Sequence, residues 1–242
     1  MDYLRAAPLI DSTRGRWGAS QGWYYQGMTP TPGTGIISAL TTAFSGTAAL
    51  FEMQNTAPAG SNVYLLPDYV KLTVSVADVT SAAGSFNAVW SLDNKLRYSS
   101  GGTQIVTPGT YANNYGPMQT GRIGVAANLQ KLPQAAVFLG ALVLNAESVN
   151  VVRSSRCVAK VGAAANLSPV GDEYVFTFGI GEDVGAGFAK SGTTAAIYRE
   201  NVGQKAIAPQ GSLALHFWCP NITTGLTVEL DAAWFETTAD PA

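Results

Sequence analysis

Apolar and polar residues alternate most regularly near the C-terminal end of the chain. Leu213, Leu215, Phe217 and Cys219 fall at every second position. Side chains alternate faces along a strand, so these four share one face. Leu226, Val228, Leu230, Ala232 and Trp234 repeat the pattern, with Thr227, Glu229 and Asp231 on the opposite face. Such alternation predicts two half-buried strands, and residues 220–225 between them have the composition of a hairpin loop. Pairing Cys219 with Leu226 sets every apolar residue against an apolar partner, and a slip of one residue would turn one oily face to water. In that register His216 faces Glu229 and Trp218 faces Thr227, both on the outer side.

The same reading applied upstream predicts a strand over 70–76 (Val70, Leu72, Val74, Val76) and another over 86–93 (Phe86, Ala88, Trp90, Leu92), joined by a small polar loop. Further β stretches are expected at 137–144, 149–161 and 173–178. In the segment 36–54, Leu40, Phe44 and Phe51 could line a helix, but Thr41, Thr42 and Gly46 weaken it, and two strands around Ser45-Gly46 are expected. Residues 55–62 read as a turn. Residues 97–121, rich in Gly, Pro and Asn, read as a long excursion of the kind that makes contacts. The glycine-rich run 179–194 reads as a tightly bent loop. No repeat and no break in composition divides 36–242. The expected fold is all-β, an antiparallel two-sheet sandwich of 8–10 strands, most simply a jelly roll.

Residues 1–35 form an extended N-terminal arm in this reading. Its prolines and glycines exclude a regular helix or central strand. It carries Arg5, Arg14 and Arg16, then Trp17, Trp23, Tyr24 and Tyr25. A solvated tail would be poor in aromatics, so the arm is expected to dock, either on its own body or on a neighbour.

Composition changes the picture in one respect. Of 242 residues 47% are hydrophobic and only 12% charged, about half the share usual for soluble domains. A free monomer covers itself with more charge than that, so much of this surface is expected to be covered by other protein. The net charge of −2 hides an uneven spread, +6 over 94–168 and −6 over 169–242. The basic residues are scattered singly, which fits complementary protein surfaces better than nucleic acid, unless folding interleaves the two segments. No apolar run is long enough for a membrane helix, and Met1 to Arg5 lacks a signal-peptide layout.

Candidate chemistry is sparse. His216 is the single histidine, so a nucleophile–base pair would have to form around it. Cys157 is a candidate partner and Cys219 points the other way; a polar cross-strand pair with Glu229 is the simpler expectation. Zinc lacks ligands. Calcium could draw on Glu182-Asp183 and Asp172-Glu173, although no loop has EF-hand spacing. Gly179-x-Gly181-x-x-x-Gly185 misses the dinucleotide fingerprint, and nothing among the 16 acidic residues singles out a glycosidase pair. Neither enzyme activity nor a cofactor or metal is expected.

Several stretches together resemble a known group. These are Pro209-x-Gly211-Ser212-Leu213-x-Leu215-His216, the ending Glu229-Leu230-x-x-x-Trp234-x-Glu236, Arg97 through Thr103 (RYSSGGT), and Gly171 through Phe178 (GDEYVFTF). They resemble the small β-sandwich virion proteins of tailed bacteriophages. The resemblance implies a structural role, as a cement or decoration protein on the capsid exterior, commonly a homotrimer, or as a tail component. Its partners would be the major capsid protein or other virion proteins, with no nucleic acid and no membrane involved. Contact residues are expected to be the aromatic and arginine anchors of the arm together with His216, Trp218 and Glu229. The alternative is a receptor- or carbohydrate-binding module using Tyr98, Tyr111 and Tyr115.

Overall fold

A computed structural model describes residues 24–31, 33–38, 40–80, 84–108, 133–160, 167–179 and 197–237. Among them there are fourteen strands and no helix. In chain order they are β1 (Tyr24–Met28), β2 (Ile36–Ile37), β3 (Ala48–Asn55), β4 (Tyr64–Val76), β5 (Val79–Thr80), β6 (Gly84–Asp93) and β7 (Tyr98–Val106), followed by β8 (Ala135–Leu144), β9 (Val151–Lys160), β10 (Glu173–Thr177), β11 (Ile197–Asn201), β12 (Ser212–Trp218), β13 (Ile222–Thr224) and β14 (Thr227–Thr237). Sheet A runs β1-β14-β4-β10-β11, with β2 also on β14, and sheet B runs β7-β8-β3-β12-β6-β9. All pairings in these two sheets are antiparallel except β10 with β11, which is parallel. The chain is therefore an all-β sandwich of two mostly antiparallel sheets.

Eight of the strands nest. β1 pairs with β14, β3 with β12, β4 with β10 and β6 with β9. In chain order this is first with last, second with seventh, third with sixth and fourth with fifth. The β7–β8 hairpin is inserted between β6 and β9 and extends sheet B on its β3 side.

The inner faces form one core. Leu213, Leu215, Phe217 and Cys219 from sheet B meet Val228, Leu230, Ala232 and Trp234 from sheet A, together with Trp90, Phe51, Phe86, Tyr174 and Phe176. Each such large apolar side chain contributes roughly 1.5–3 kcal/mol by leaving water. The parity read from sequence at 213–219 and 226–234 is thus correct, but the predicted hairpin is not. β12 lies between β3 and β6, β14 lies between β1 and β4, and residues 219–226 cross from one sheet to the other. Alternation reports which face of a strand is buried, and two strands facing one core from opposite sheets alternate just as a hairpin does.

Both open sides of the sandwich are tied. On one, Arg153 of β9 reaches Glu200 of β11 at 2.6 Å, and Ser155 Oγ and Tyr198 OH donate to the other Glu200 oxygen at 2.6 and 3.0 Å. A basic residue of the middle third is here paired with an acidic residue of the last, so folding interleaves part of the charge asymmetry. On the other side Val106 packs onto Gly27 so closely that a Cβ there would lie 2.7 Å from it. The stretch 98–106, read from sequence as an excursion, is the edge strand β7. Its Gly101 and Gly102 adopt φ of +82° and +59° where the β7–β8 register shifts. Glycines that read as a loop are bulge residues.

Candidate functional site

The polar side chains that could do chemistry gather on the outer face of sheet B. In the row through Ala214, β3 contributes Glu52 and β6 contributes Ser91, and His216 follows two residues further along β12. This face is not open. After β6 the chain crosses it through 94–97 to reach β7, and after β8 it crosses back through 145–150 to reach β9. The crossings are tied to one another: Asn145 N donates to Arg97 O at 2.7 Å, Leu92 N donates to Asn150 O at 3.0 Å, and Lys95 pairs with Glu147 at 2.8 Å.

Arg97 is the clasp of this double strap. Its side chain is fully buried, yet each nitrogen has a partner: Nε and Nη2 donate to Asn145 O, Nη2 also to Gly46 O, and Nη1 to Asp93 Oδ2 at 2.8 Å. The planar five-donor guanidinium suits one carboxylate and two carbonyls in a fixed fork, which an ammonium could not match.

Beneath the strap His216 is 1% exposed. Its Nδ1 lies 2.8 Å from Ala48 O and 3.1 Å from Ser45 O, and its Nε2 lies 3.0 Å from Ser91 Oγ. Two carbonyls at Nδ1 require a proton there, so Nε2 accepts the Ser91 hydroxyl proton. Burial, above all, holds the imidazole below its usual pKa, which keeps it neutral. A serine donating to an imidazole is the first requirement of nucleophilic catalysis. Here Ser91 is fully buried as well. The nearby cleft of about 490 Å³, lined by Asp93, Lys95, Arg97, Glu147 and Asn150, is lined by neither Ser91 nor His216. In this arrangement the pair ties β12, β6 and the 45–48 turn together.

Glu52, fully buried next to it, accepts from Gln54 Nε2 at 3.1 Å through Oε1, while Oε2 has no hydrogen-bond partner among the described residues. Burial pushes its carboxyl up to about 7, although Gln54 and the backbone and charge of the Arg97–Tyr98 segment pull it down.

The contact residues expected from sequence are dispersed. His216 does not face Glu229: it lies under the strap of sheet B, whereas Glu229 sits on the outer face of sheet A and accepts from Gly33 N at 3.1 Å. Trp218 does not face Thr227; it is half-buried against Phe44, ring centroids 5.5 Å apart. Both departures follow from the separation of β12 and β14. Tyr25 is in the core, stacked on Trp234 at 5.9 Å, and Tyr24 lies on the outer side against Phe235, its hydroxyl donating to Asp68 at 2.8 Å. This part of the arm docks on its own body as an edge strand. Arg5, Arg14, Arg16, Trp17 and Trp23 lie outside the described residues.

The remaining candidates fare similarly. Asp172 is buried and accepts from Ser168 Oγ, and Glu173 lies 3.9 Å from Lys71; Glu182 and Asp183 lie outside the described residues, among which no cluster could hold a metal ion. The Cys219 thiol is buried and pushed up to about 11 by burial and the nearby Asp78 charge, which leaves it unreactive; the Cys157 side chain is outside the described set. Tyr98 stacks on Phe138 with centroids 3.9 Å apart, so its ring is already engaged, and Tyr111 and Tyr115 are not described. Glu52 carried no expected role, and Arg97 entered only as the first residue of the RYSSGGT stretch. The one available signal was Glu52, a lone charge within the otherwise uncharged run 17–67.

No family model, no curated protein and no solved structure matches the chain.

Proposed function

We propose that the chain is a structural subunit of a virion, one that packs on or into a protein shell as a cement or decoration protein does, and that its eight nested strands are a jelly-roll frame serving as a rigid body for assembly. The nested pairing carries this reading, because a jelly roll consists of eight strands wound as two Greek keys. Three further features support it. Charged residues are scarce over the whole chain. The polar cluster under the strap is committed to tying strands together. The segment preceding β1 holds arginines and tryptophans of the kind that anchor contacts.

Two measurements test it. Antibodies against the recombinant chain, used in immunogold microscopy of virus particles concentrated from the source material, should label particle surfaces; label confined to host cell material would overturn the reading. Removal of residues 1–22 should then leave the far-ultraviolet spectrum unchanged while abolishing attachment to particles. The truncation must stop before β1, because Tyr25 belongs to the core. Normal attachment of the shortened chain would rule out the arm as the anchor.

A further inference from the structure

Burying a carboxyl group without a full set of donors disfavours its charged form. Glu52 is such a group. Its side chain is fully buried, Gln54 donates to Oε1 at 3.1 Å, and Oε2 has no partner among the described residues. The protonated form suits this place and the ionised form does not, and burial pushes the carboxyl up to about 7.

The charged and titratable groups around it are committed elsewhere. On the strap and at the end of β6, Arg97 is bonded to Asp93, Asn145 O and Gly46 O, and Lys95 is paired with Glu147. On β12, His216 follows two residues after Ala214, the partner of Glu52, and its Nε2 accepts from Ser91 of β6. Burial keeps that imidazole neutral. β8 sets the uncharged Phe138 opposite Glu52, and Tyr98 of β7 is stacked on that ring with its hydroxyl donating to Gly101 O. An ionised Glu52 therefore has two routes to relief: water reaches it, or it draws Arg97 away from Asp93 and the two carbonyls. β3 cannot move aside, because it is paired with β8 on one side and β12 on the other. The strap can, since 94–97 and 145–150 belong to no strand and Arg97 is their clasp. Both routes loosen the same piece of chain.

We infer that the double strap is a proton-held cover: it stays shut while Glu52 carries its proton and lifts when Glu52 loses it, opening Ser91 and His216 to solvent while the two sheets stay packed. The charge on one carboxyl is in this way converted into exposure of a sheet face. Opening returns the group from about 7 toward its ordinary 4.5. The shut form is thus favoured most below about pH 4.5 and loses that advantage as pH rises to about 7.

Amide hydrogen exchange of the full chain, with Glu52→Gln alongside, tests it. The substitution keeps the shape of the side chain and cannot ionise, and intrinsic exchange within the strap is the same in both chains. The variant also keeps His216, whose own response to pH cancels in the comparison. For the amides of 94–98 and 145–150, the wild-type rate divided by the variant's should grow about tenfold between pH 6 and pH 8. At pH 8 the wild-type strap amides should exchange faster than those of β14 and respond little to low urea, because lifting the strap exposes little surface. A rate ratio that does not change with pH would overturn the inference. So would strap amides that exchange in step with β14 at every urea concentration, since the cover would then come off only with the whole fold; that comparison needs wild type alone and holds even if the variant does not fold.

Discussion

The outer faces of the two sheets are built from similar alternating strands and end in opposite conditions. On sheet A the outer positions carry Glu229, which accepts from Gly33 N, and Lys71, Glu173 and Asp231, joined in a half-exposed lattice. Gln26 Nε2 and Tyr69 OH both donate to Asp231 Oδ1, and Lys71 lies 4.0 Å from Asp231 Oδ2. On sheet B the outer positions carry Glu52, Ser91, Ala214 and His216, all buried beneath the two crossings. Water screens the first set and is excluded from the second. A polar group on sheet A can lose its protein partner to solvent cheaply, whereas one on sheet B cannot. The faces should therefore respond very differently to single substitutions.

The largest effect is expected at Arg97. Replacing it by alanine removes the clasp and leaves the Asp93 carboxylate and the carbonyls of Gly46 and Asn145 without their donor. Breaking a buried ion pair from one side costs roughly 3–5 kcal/mol. Urea denaturation should show a loss of that size, and hydrogen exchange should accelerate in 94–98 and 145–150 before it does in β14. A loss below about 1 kcal/mol would mean that the strap is held by its backbone alone.

The next effect is expected at Glu52, and it has the opposite sign. Burial raises the carboxyl from 4.5 to about 7 in the folded chain, so folding favours the protonated form. That contribution is fully present below about pH 4.5, declines as pH rises, and is lost above about pH 7. At pH 8 the folded protein holds an ionised carboxylate near Arg97 and Gln54, with one oxygen unpaired among the described residues. Glu52→Gln should stabilise it there by roughly 1–3 kcal/mol and change little at pH 5. His216 works the other way. Its pKa is lowered on folding from 6.5, so its contribution is present above about pH 6.5 and fades as pH falls. Denaturation midpoints of the variant should then rise from pH 6 to pH 8, where those of wild type stay level or fall. A variant whose pH profile matches that of wild type would show that Glu52 stays ionised in the fold.

How far sequence reaches follows from the same two faces. The alternation at 213–219 and 226–234 located the core side of both strands correctly, because period-2 burial is a local property. It could not tell a hairpin from a crossover, because partner choice depends on strands as distant as β3 and β4. On sheet B most outer residues are small or apolar (Ala49, Ala136, Phe138, Leu142, Ala214), with Glu52, Ser91 and His216 among them, while on sheet A they include Lys71, Glu173, Glu229 and Asp231. That contrast was present in the sequence but carried no geometry. Nothing local marks 94–97 and 145–150 as a cover, since the contacts that make them one, Arg97 with Asn145 and Lys95 with Glu147, span 48 and 52 residues. Gly101-Gly102 gave a loop signal and forms a bulge because the requirement for positive φ is common to both.

The smallest effect is expected on sheet A and is the sharpest check on the contrast. The Lys71 side chain is 34% exposed and sits 3.9 and 4.0 Å from its two carboxylates. Pairs that long and that wet contribute at most about 1 kcal/mol, with solvent screening already reducing it. Removing the lysine also leaves Asp231 its two neutral donors, Gln26 and Tyr69, so no buried charge is stranded. Lys71→Ala should therefore cost less than about 1 kcal/mol in urea denaturation. The difference from wild type should shrink further in high salt, because the Debye length falls to about 3 Å at 1 M. Arg97→Ala measured alongside should keep its full penalty in the same salt, since ions do not reach a fully buried guanidinium. If Lys71→Ala proved as costly as Arg97→Ala and equally insensitive to salt, the outer face of sheet A would have to be covered as well, and the contrast between the two faces would collapse.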